Sequence, residues 1–516
     1  MNTKSSRKSI YDKLQVLIFN CFLVFLSYGI MLTHRYSIDG YAVFFEFSEV
    51  PVGYPYLSSG RLVNWLLINL LSRLGFNPVN GQKYFTFVFM LVIALCITLL
   101  FLLFSSLIFG RSSEGCPSGF PRQTFRGALF LDLAIALAFI NVFVNEFFLF
   151  SEVSLFWAVM FFFSVLASCF FLCRGGWWKY LLSALLLWIA LNSYQASLGI
   201  FLIFGCAGIL VKNDLCFSRK TIREVLLLLL IGGLVVLLAL LPFPILTRLG
   251  VIGTDARAPS FHLATVLHNL VYLFSMQRLL LVEGMSFIHL WVLVFLVALL
   301  CVLGYLLWKN RCGFASSLLV FLAFIGCYAC VFAPHLFTNG VYPAVRTMFS
   351  FFSVFSFLCI IILYILHRNH KKLPMALIYA ILAFLIINTV KIQQVAAEQF
   401  AVNIADRTEA VQVINAIDKY ENATGNTIDT IAYRSDAQRS RTYPGITNTF
   451  LDFGRRADAA SWAVVNRLSY YSGKSYTQIS MTKEEYSLHF PEKDWYVFDA
   501  EEQLVFEGNV MYWALY

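Results

Sequence analysis

Apolar runs of about 20 residues, each closed by a short loop carrying Lys or Arg, recur along the first 390 residues of the chain. That is the length a helix needs to cross the hydrocarbon core of a bilayer. The pattern predicts spans at 14–32, 84–109, 127–144, 153–173, 177–191, 195–211, 225–245, 287–308, 314–332, 347–366 and 374–390, about eleven helices in all. Lys4, Arg7, Lys8 and Lys13 precede the first run, which places the N-terminus in the cytoplasm. The run is too long for a signal-peptide core, and no small-residue cleavage site follows it, so it reads as an uncleaved anchor.

The loops obey the same alternation. Arg111, Arg122 and Arg126 fall together, as do Arg174 and Lys179, and Lys212, Arg219, Lys220 and Arg223. Lys309 with Arg311, and Arg368 with Lys371 and Lys372, complete the set. Every cluster lies on the cytoplasmic side if the spans alternate, and an odd number of spans puts the C-terminal tail outside. Segment 251–283 departs from the pattern. Its apolar stretch carries His262, His268 and Arg278, so an external re-entrant or interfacial segment is expected there, not a lipid-facing span.

From Lys391 onward the pattern changes to that of a soluble domain. A helix over 393–420 should run straight out of the last span, followed by strands at 428–433 and 476–481 with a helix at 459–472 between them. Thr482 and Glu485 form a capping box that opens a short helix. Segments 496–499 and 503–507 read as a hairpin. The organisation expected is a multi-span membrane domain, 1–390, with a long first external loop, 33–83, and a small α/β cap, 391–516, on the external face.

Composition strengthens this picture. The 516 residues are 59% hydrophobic and only 13% charged, whereas a soluble chain carries about a quarter charged residues. A secreted disulfide scaffold, a nucleic-acid binder and a disordered tail protein are thereby excluded. The net charge of +9 divides unevenly. Residues 391–516 hold 12 basic and 17 acidic side chains, a balance of −5, and the first 390 hold the other 26 and 12, a balance of +14. That excess sits at helix ends and is an orientation signal. The 12 cysteines avoid the first external loop and the tail, and read as small hydrophobes packing helices.

Acids are scarce before Lys391, and the topology leaves seven of them outside: Asp39, Glu46, Glu49, Glu146, Glu152, Asp255 and Glu283. Three of the seven share the first external loop. Carboxylates beside a bilayer are costly to bury, so their clustering points to a site. The loop contains Ser37-Ile38-Asp39, then Glu46 and Glu49, then Ser59-Gly60-Arg61 and an amphipathic stretch over 62–74 that lies along the membrane surface. A carboxylate there can deprotonate a hydroxyl above the bilayer, and Arg61 offers a fork suited to phosphate. On spacing alone, Asp39 could equally cap its loop and Arg61 snorkel to headgroups.

These motifs resemble one family. Ser37–Asp39, Ser59-Gly60-Arg61, the Asn192-Ser193-Tyr194-Gln195 turn and the Tyr342–Arg346 loop are similar to the bacterial and phage serotype-converting glucosyltransferases, Gtr type II. The resemblance covers most of the chain and implies a GT-C-like, polyprenyl-phosphate-sugar-dependent membrane glycosyltransferase of the bacterial inner membrane. It implies undecaprenyl-phosphate glucose as donor, an O-antigen (lipopolysaccharide) or related glycan as acceptor, and a companion flippase and donor synthase as partners.

Under this resemblance Asp39 matches the family's acid and would be the catalytic base, with Glu46, Glu49 or Glu146 as acidic alternates. Arg61, Arg278 and Arg346 would hold the lipid phosphate, with His262 and His268 as weaker candidates. Tyr194, Gln195 and Tyr342 would bind sugar. For each arginine a headgroup contact or loop salt bridge explains the residue as well. No cofactor is implied. A lipid-phosphate leaving group demands no metal, and no divalent cation is expected.

Two rival readings remain open. A lipid-linked sugar flippase or transporter would place ionisable residues mid-span at helix breaks, where Asp132 is nearly alone. An O-antigen polymerase would take a diphosphate-linked donor.

Overall fold

The computed structural model describes residues 3–33, 35–46, 54–110, 122–252, 262–283, 285, 290–435, 441–491 and 495–516. In chain order the helices of the first part are α1 (Thr3–Tyr28), α2 (Gly40–Glu46), α3 (Tyr54–Ser58), α4 (Leu62–Arg73), α5 (Gln82–Ile108) and α6 (Arg122–Ala136). Then come α7 (Val142–Leu149), α8 (Ser154–Leu172), α9 (Trp178–Ser193), α10 (Leu198–Lys212), α11 (Arg219–Leu240) and α12 (Pro242–Arg248). The series ends with α13 (Leu263–Arg278), α14 (Trp291–Lys309), α15 (Phe314–Leu336), α16 (Phe351–Arg368) and α17 (Met375–Thr424).

Among the described residues, 10 helices are long and apolar enough to cross a membrane. They differ from the sequence pattern at three places. The run at 127–144 is not one helix but α6 and α7, broken at Asn141. The Asn141 side chain caps α7 by accepting from the amides of Phe143 and Val144, and Tyr28 donates to the carbonyls of Phe139 and Asn141 at the break (2.9 and 3.0 Å). An asparagine that competes for backbone amides, backed by a phenol, thus makes a stable helix break. Helix α9 has only 16 residues, about 24 Å at the usual rise.

The third difference is Leu263–Glu283, which qualifies by length and composition. Asn269 of α13 donates to the carbonyls of His335, Leu336 and Thr338 at the C-terminal end of α15. Two turns further on, Gln277 accepts from Tyr328, deeper along α15.

Helix α16 is enclosed by the others, and every residue from Phe351 to Leu366 is buried. Close approach of α10 to its start needs Gly199, where an added Cβ would lie 2.2 Å from the Ser350 hydroxyl. Small residues at such crossings are the usual way for membrane helices to gain van der Waals contact. Asp132 is held structurally: Asn20 donates to it (3.1 Å) and also to Thr98 (3.1 Å), tying α1, α5 and α6 together.

Helix α17 continues without a break from the bundle into the tail, 50 residues in all. There it packs on a four-stranded sheet of β1 (Thr430–Ser435), β2 (Thr477–Ser480), β3 (Leu504–Glu507) and β4 (Val510–Leu515), in the order β2-β1-β4-β3. Strand β1 runs parallel to β2 and β4, while β3 and β4 are antiparallel. Helix α18 (Ser461–Ser472) connects β1 toward β2 and joins α17 over one face, with Val413, Ile417, Val464, Leu468 and Trp513 in that core. The capping box at Thr482 and Glu485 forms. The hairpin differs from expectation: 503–507 pairs onward with β4 across the Gly508-Asn509 turn, not back with 496–499, because that two-residue turn sets the register.

Buried Arg456 and Arg467 knit the tail together. Arg456 pairs with Glu409 of α17 (3.1 Å) and Asp458 (3.2 Å), and Arg467 of α18 pairs with Asp458 (2.7 Å). The tail also docks on the first loop. Tyr41 packs against Ala457, Ala460 and Ala463, and Tyr36 hydrogen-bonds Tyr470 at 2.6 Å. Tyr36 and Asn403 exchange two further hydrogen bonds of 3.0 Å. The first loop and the tail therefore occupy the same end of the helix bundle.

Candidate functional site

The site is built where three short helix interruptions meet. Helix α9 stops at Ser193, Tyr194 turns extended (φ −161°, ψ 122°), and Gln195 opens the turn into α10. Gln195 donates to the carbonyls of Ser59 and Gly60 (3.2 and 3.4 Å), and Asn64 of α4 donates to the carbonyl of Ser193 at 2.9 Å. Gly60 adopts a left-handed φ of +73°, which a side chain would strain. The chain then turns Arg61 over the ring of Tyr194, at 4.9 Å.

The third piece is the loop before α16. Pro334 lies in the last turn of α15 nearby, and Tyr342 to Thr347 return toward the same point. Thr347 bonds the ring of His335 at 2.8 Å. Arg346 is buried, and its guanidinium lies 4.5 Å from the ring centre of Phe150. Its Nη1 pairs with Glu146 of α7 and with Asp452 of the tail, the latter at 2.7 Å. The Arg346 backbone amide donates to the same Glu146 carboxylate. The Tyr342 hydroxyl donates to Asp452 (3.1 Å). Burial pushes the Asp452 carboxyl up, yet Arg346, with Tyr342 and Arg455, outweighs it and holds the group below the ordinary carboxylate value.

Together these pieces enclose one cleft. Arg61, Tyr194, Gln195, Tyr342 and Arg346 all line it, with His335 and Thr347. Its remaining wall is apolar: Leu191, Leu198, Val236, Leu240 and Phe243 from α9 to α12, with Phe337 after α15. Hydrocarbon can lie along that wall while an anion meets the two arginines. Five of the residues picked from separate sequence motifs thus share one cavity.

The other candidates lie elsewhere. Asp39 is exposed, does not line the cleft, and accepts a hydrogen bond of 3.0 Å from the indole N–H of Trp462 in α18. Just beneath it, buried Glu152 accepts from Ser37 at 2.6 Å. Glu146 sits behind Arg346, bound to it. Arg278 does not line the cleft and pairs with Glu283 at 2.8 Å on an exposed surface. His262 and His268 do not line it either. Glu49, Asp255 and the side chain of Glu46 lie outside the described residues.

Residues that no motif had singled out complete the arrangement. Asp452 joins Arg346 and Tyr342 to Arg455 (3.6 Å), and the Arg455 guanidinium stands 5.8 Å from the ring centre of Trp462. A continuous line of contacts, Glu146–Arg346–Asp452–Arg455–Trp462–Asp39, therefore runs from the cleft to the first loop through the tail. Asp452 is one of 17 acids in the tail and has no local pattern that distinguishes it.

Residues 28–366 match the family described as glucosyl transferase GtrII. No curated protein and no solved structure was found to match the chain. The matched stretch begins at the end of α1 and closes within α16, so it contains Asp39 and all five cleft residues named above, while Asp452 and Trp462 lie beyond it. With two thirds of its length matched and its helices of membrane-spanning length, this chain belongs to the glucosyl transferase GtrII family and is a membrane glycosyltransferase.

Proposed function

We propose that the protein transfers glucose, with inversion, from a polyprenyl-phosphate sugar such as undecaprenyl-phosphate glucose to an O-antigen or other cell-surface glycan. The reaction takes place on the external face of the bacterial inner membrane. One observation carries the donor assignment: a cleft with apolar walls that also holds Arg61 and Arg346. Such a cavity suits an amphipathic ligand with an anionic head.

In this reading the prenyl chain lies against Leu198, Val236, Leu240 and Phe243, and the phosphate is held by the arginine forks. Tyr194, Gln195 and Tyr342 offer hydroxyl and amide groups to the sugar. The acceptor hydroxyl attacks the anomeric carbon as the bond from that carbon to the phosphate oxygen breaks. The electron pair leaves with the polyprenyl phosphate, and the hydroxyl proton passes to Asp39. Charge grows on the departing phosphate, where pre-placed cations stabilise it.

The shared end of the first loop and the tail requires an even number of crossings between them, and the basic loops put that end outside in this reading. Ten spans after the first satisfy this if Leu263–Glu283 enters beside α15 and returns. A reporter fused after Tyr516 is expected to be active outside the cytoplasm, and cytoplasmic activity there would show that one crossing is miscounted.

The decisive experiment is expression in a strain of defined O-antigen, followed by mass and linkage analysis of its polysaccharide. A gain of one hexose per repeat that depends on the lipid-phosphate donor is expected. Altered chain length alone would indicate a polymerase, and lipid-linked sugar translocation without modification would indicate a flippase. Asp132, tied to Asn20 in the bundle, gives no support to a mid-span relay.

A further inference from the structure

We propose that the C-terminal segment supplies the acceptor-sugar subsite, with Trp462 as its stacking platform beside Asp39. The inference rests on the reading of Asp39 as base. Trp462 is 48% exposed although it sits on α18, the helix that docks the tail on the first loop. Apart from one hydrogen bond from its N–H to Asp39, the docking does not use the indole. It is made by Ala457, Ala460 and Ala463 against Tyr41, and by the Tyr36–Tyr470 and Tyr41–Tyr471 hydroxyl pairs (2.6 and 3.3 Å).

What the indole does touch is chemistry-bearing. Its N–H donates to Asp39 Oδ1 at 3.0 Å, and the Arg455 guanidinium lies 5.8 Å from its ring centre. Arg455 reaches Asp452, which in turn binds Arg346 and Tyr342 at the cleft. A hydroxyl deprotonated by Asp39 must come within about 3 Å of its carboxylate, so the sugar that bears it lies within one ring's width of Trp462. An exposed aromatic ring flanked by a carboxylate and a guanidinium is the combination that binds a pyranose. The ring covers the apolar C–H face, and the charged groups take the hydroxyls. The ligand class is therefore the hexose of a neutral or weakly charged glycan. An alternative occupant of an exposed tryptophan is the lipid interface, which would not respond to acceptor concentration.

The test uses the full-length enzyme in detergent, with polyprenyl-phosphate glucose as donor and O-antigen polysaccharide from the expressing strain as acceptor. Initial rates are measured against each substrate for Trp462→Ala, Trp462→Phe and Asp39→Asn. Trp462→Ala is expected to raise the acceptor KM about tenfold or more, the loss typical of a central aromatic contact, while the donor KM stays within twofold. Trp462→Phe, which keeps a ring and loses only the N–H, should recover most of that loss. An acceptor KM within twofold of wild type in Trp462→Ala would overturn the proposal, as would parallel shifts of donor and acceptor KM in both tryptophan variants. Asp39→Asn separates the two claims. If it retains full turnover while Trp462→Ala raises the acceptor KM, the subsite stands and the base is another residue. If it abolishes turnover while Trp462→Ala has no effect, the base stands and the subsite falls.

Discussion

Replacing Arg346 with alanine is expected to abolish glucosyl transfer and to weaken the folded protein at the same time. The two effects have one origin. Arg346 is buried between Glu146 and Asp452 and is the cation that both carboxylates face. Without it, Glu146 is left as a fully buried charge, and breaking such a pair costs about 3–5 kcal/mol. Transfer should fall by about 10²–10³ even in the protein that remains folded, the usual loss when a pre-placed donor to developing charge is removed. The double variant Arg346→Ala with Glu146→Gln separates these effects, because it removes the orphaned charge. Its thermal midpoint in detergent should return toward wild type while its transfer rate stays low. Wild-type transfer by Arg346→Ala would mean that the cleft does not hold the donor. Arg346→Lys should be intermediate in stability and poor in activity, since it keeps the charge and loses the planar fork.

The second large effect is expected at Asp39. Asp39→Asn should lower transfer by about 10²–10⁴, the range contributed by a positioned general base. The substitution is suited to the site because an amide oxygen can still accept the Trp462 indole N–H, so the tail stays docked on the first loop. Membrane insertion and thermal midpoint should therefore match wild type. The readout is hexose content of the O-antigen in cells and initial rate with purified protein. Normal glucosylation by this variant would sink the assignment. Glu152→Gln and Glu146→Gln would then become the next comparisons, the first because Glu152 lies just beneath Asp39 and binds Ser37.

The membrane character was legible because it rests on local period and length. Runs such as 84–109 and 347–366 reappear as α5 and α16, and β1, β2 and β3 fall within a residue or two of expected segments, whereas β4 (Val510–Leu515) was not among them. The misreadings are equally physical. The run at 127–144 looked continuous because hydropathy does not register an asparagine that caps its own helix, and the break at Asn141 depends on Tyr28, 113 residues away. The hairpin was misplaced because 496–499 has strand-like residues, whereas the register is set by Gly508-Asn509.

The site divides in the same way. Arg61, Tyr194, Gln195, Tyr342 and Arg346 stood out in short polar interruptions of apolar sequence, where a charge or amide is expensive and so informative. Asp452, Arg455 and Trp462 did not, because in a polar tail an acid, a cation or a tryptophan is unremarkable.

What the sequence by itself determined is the apolar periodicity that makes this a chain of membrane helices, the clustering of basic residues in its short loops, and the scarcity of acids before the tail that drew attention to the first loop. Only the tertiary structure decided that three motifs separated by more than a hundred residues meet in one cleft, and that the tail, not the bundle alone, links that cleft to Asp39. Spans are set by local burial, which each segment carries in its own composition. The Arg346–Asp452 pair spans 106 positions, and such a contact exists only once helices have packed and brought their ends together.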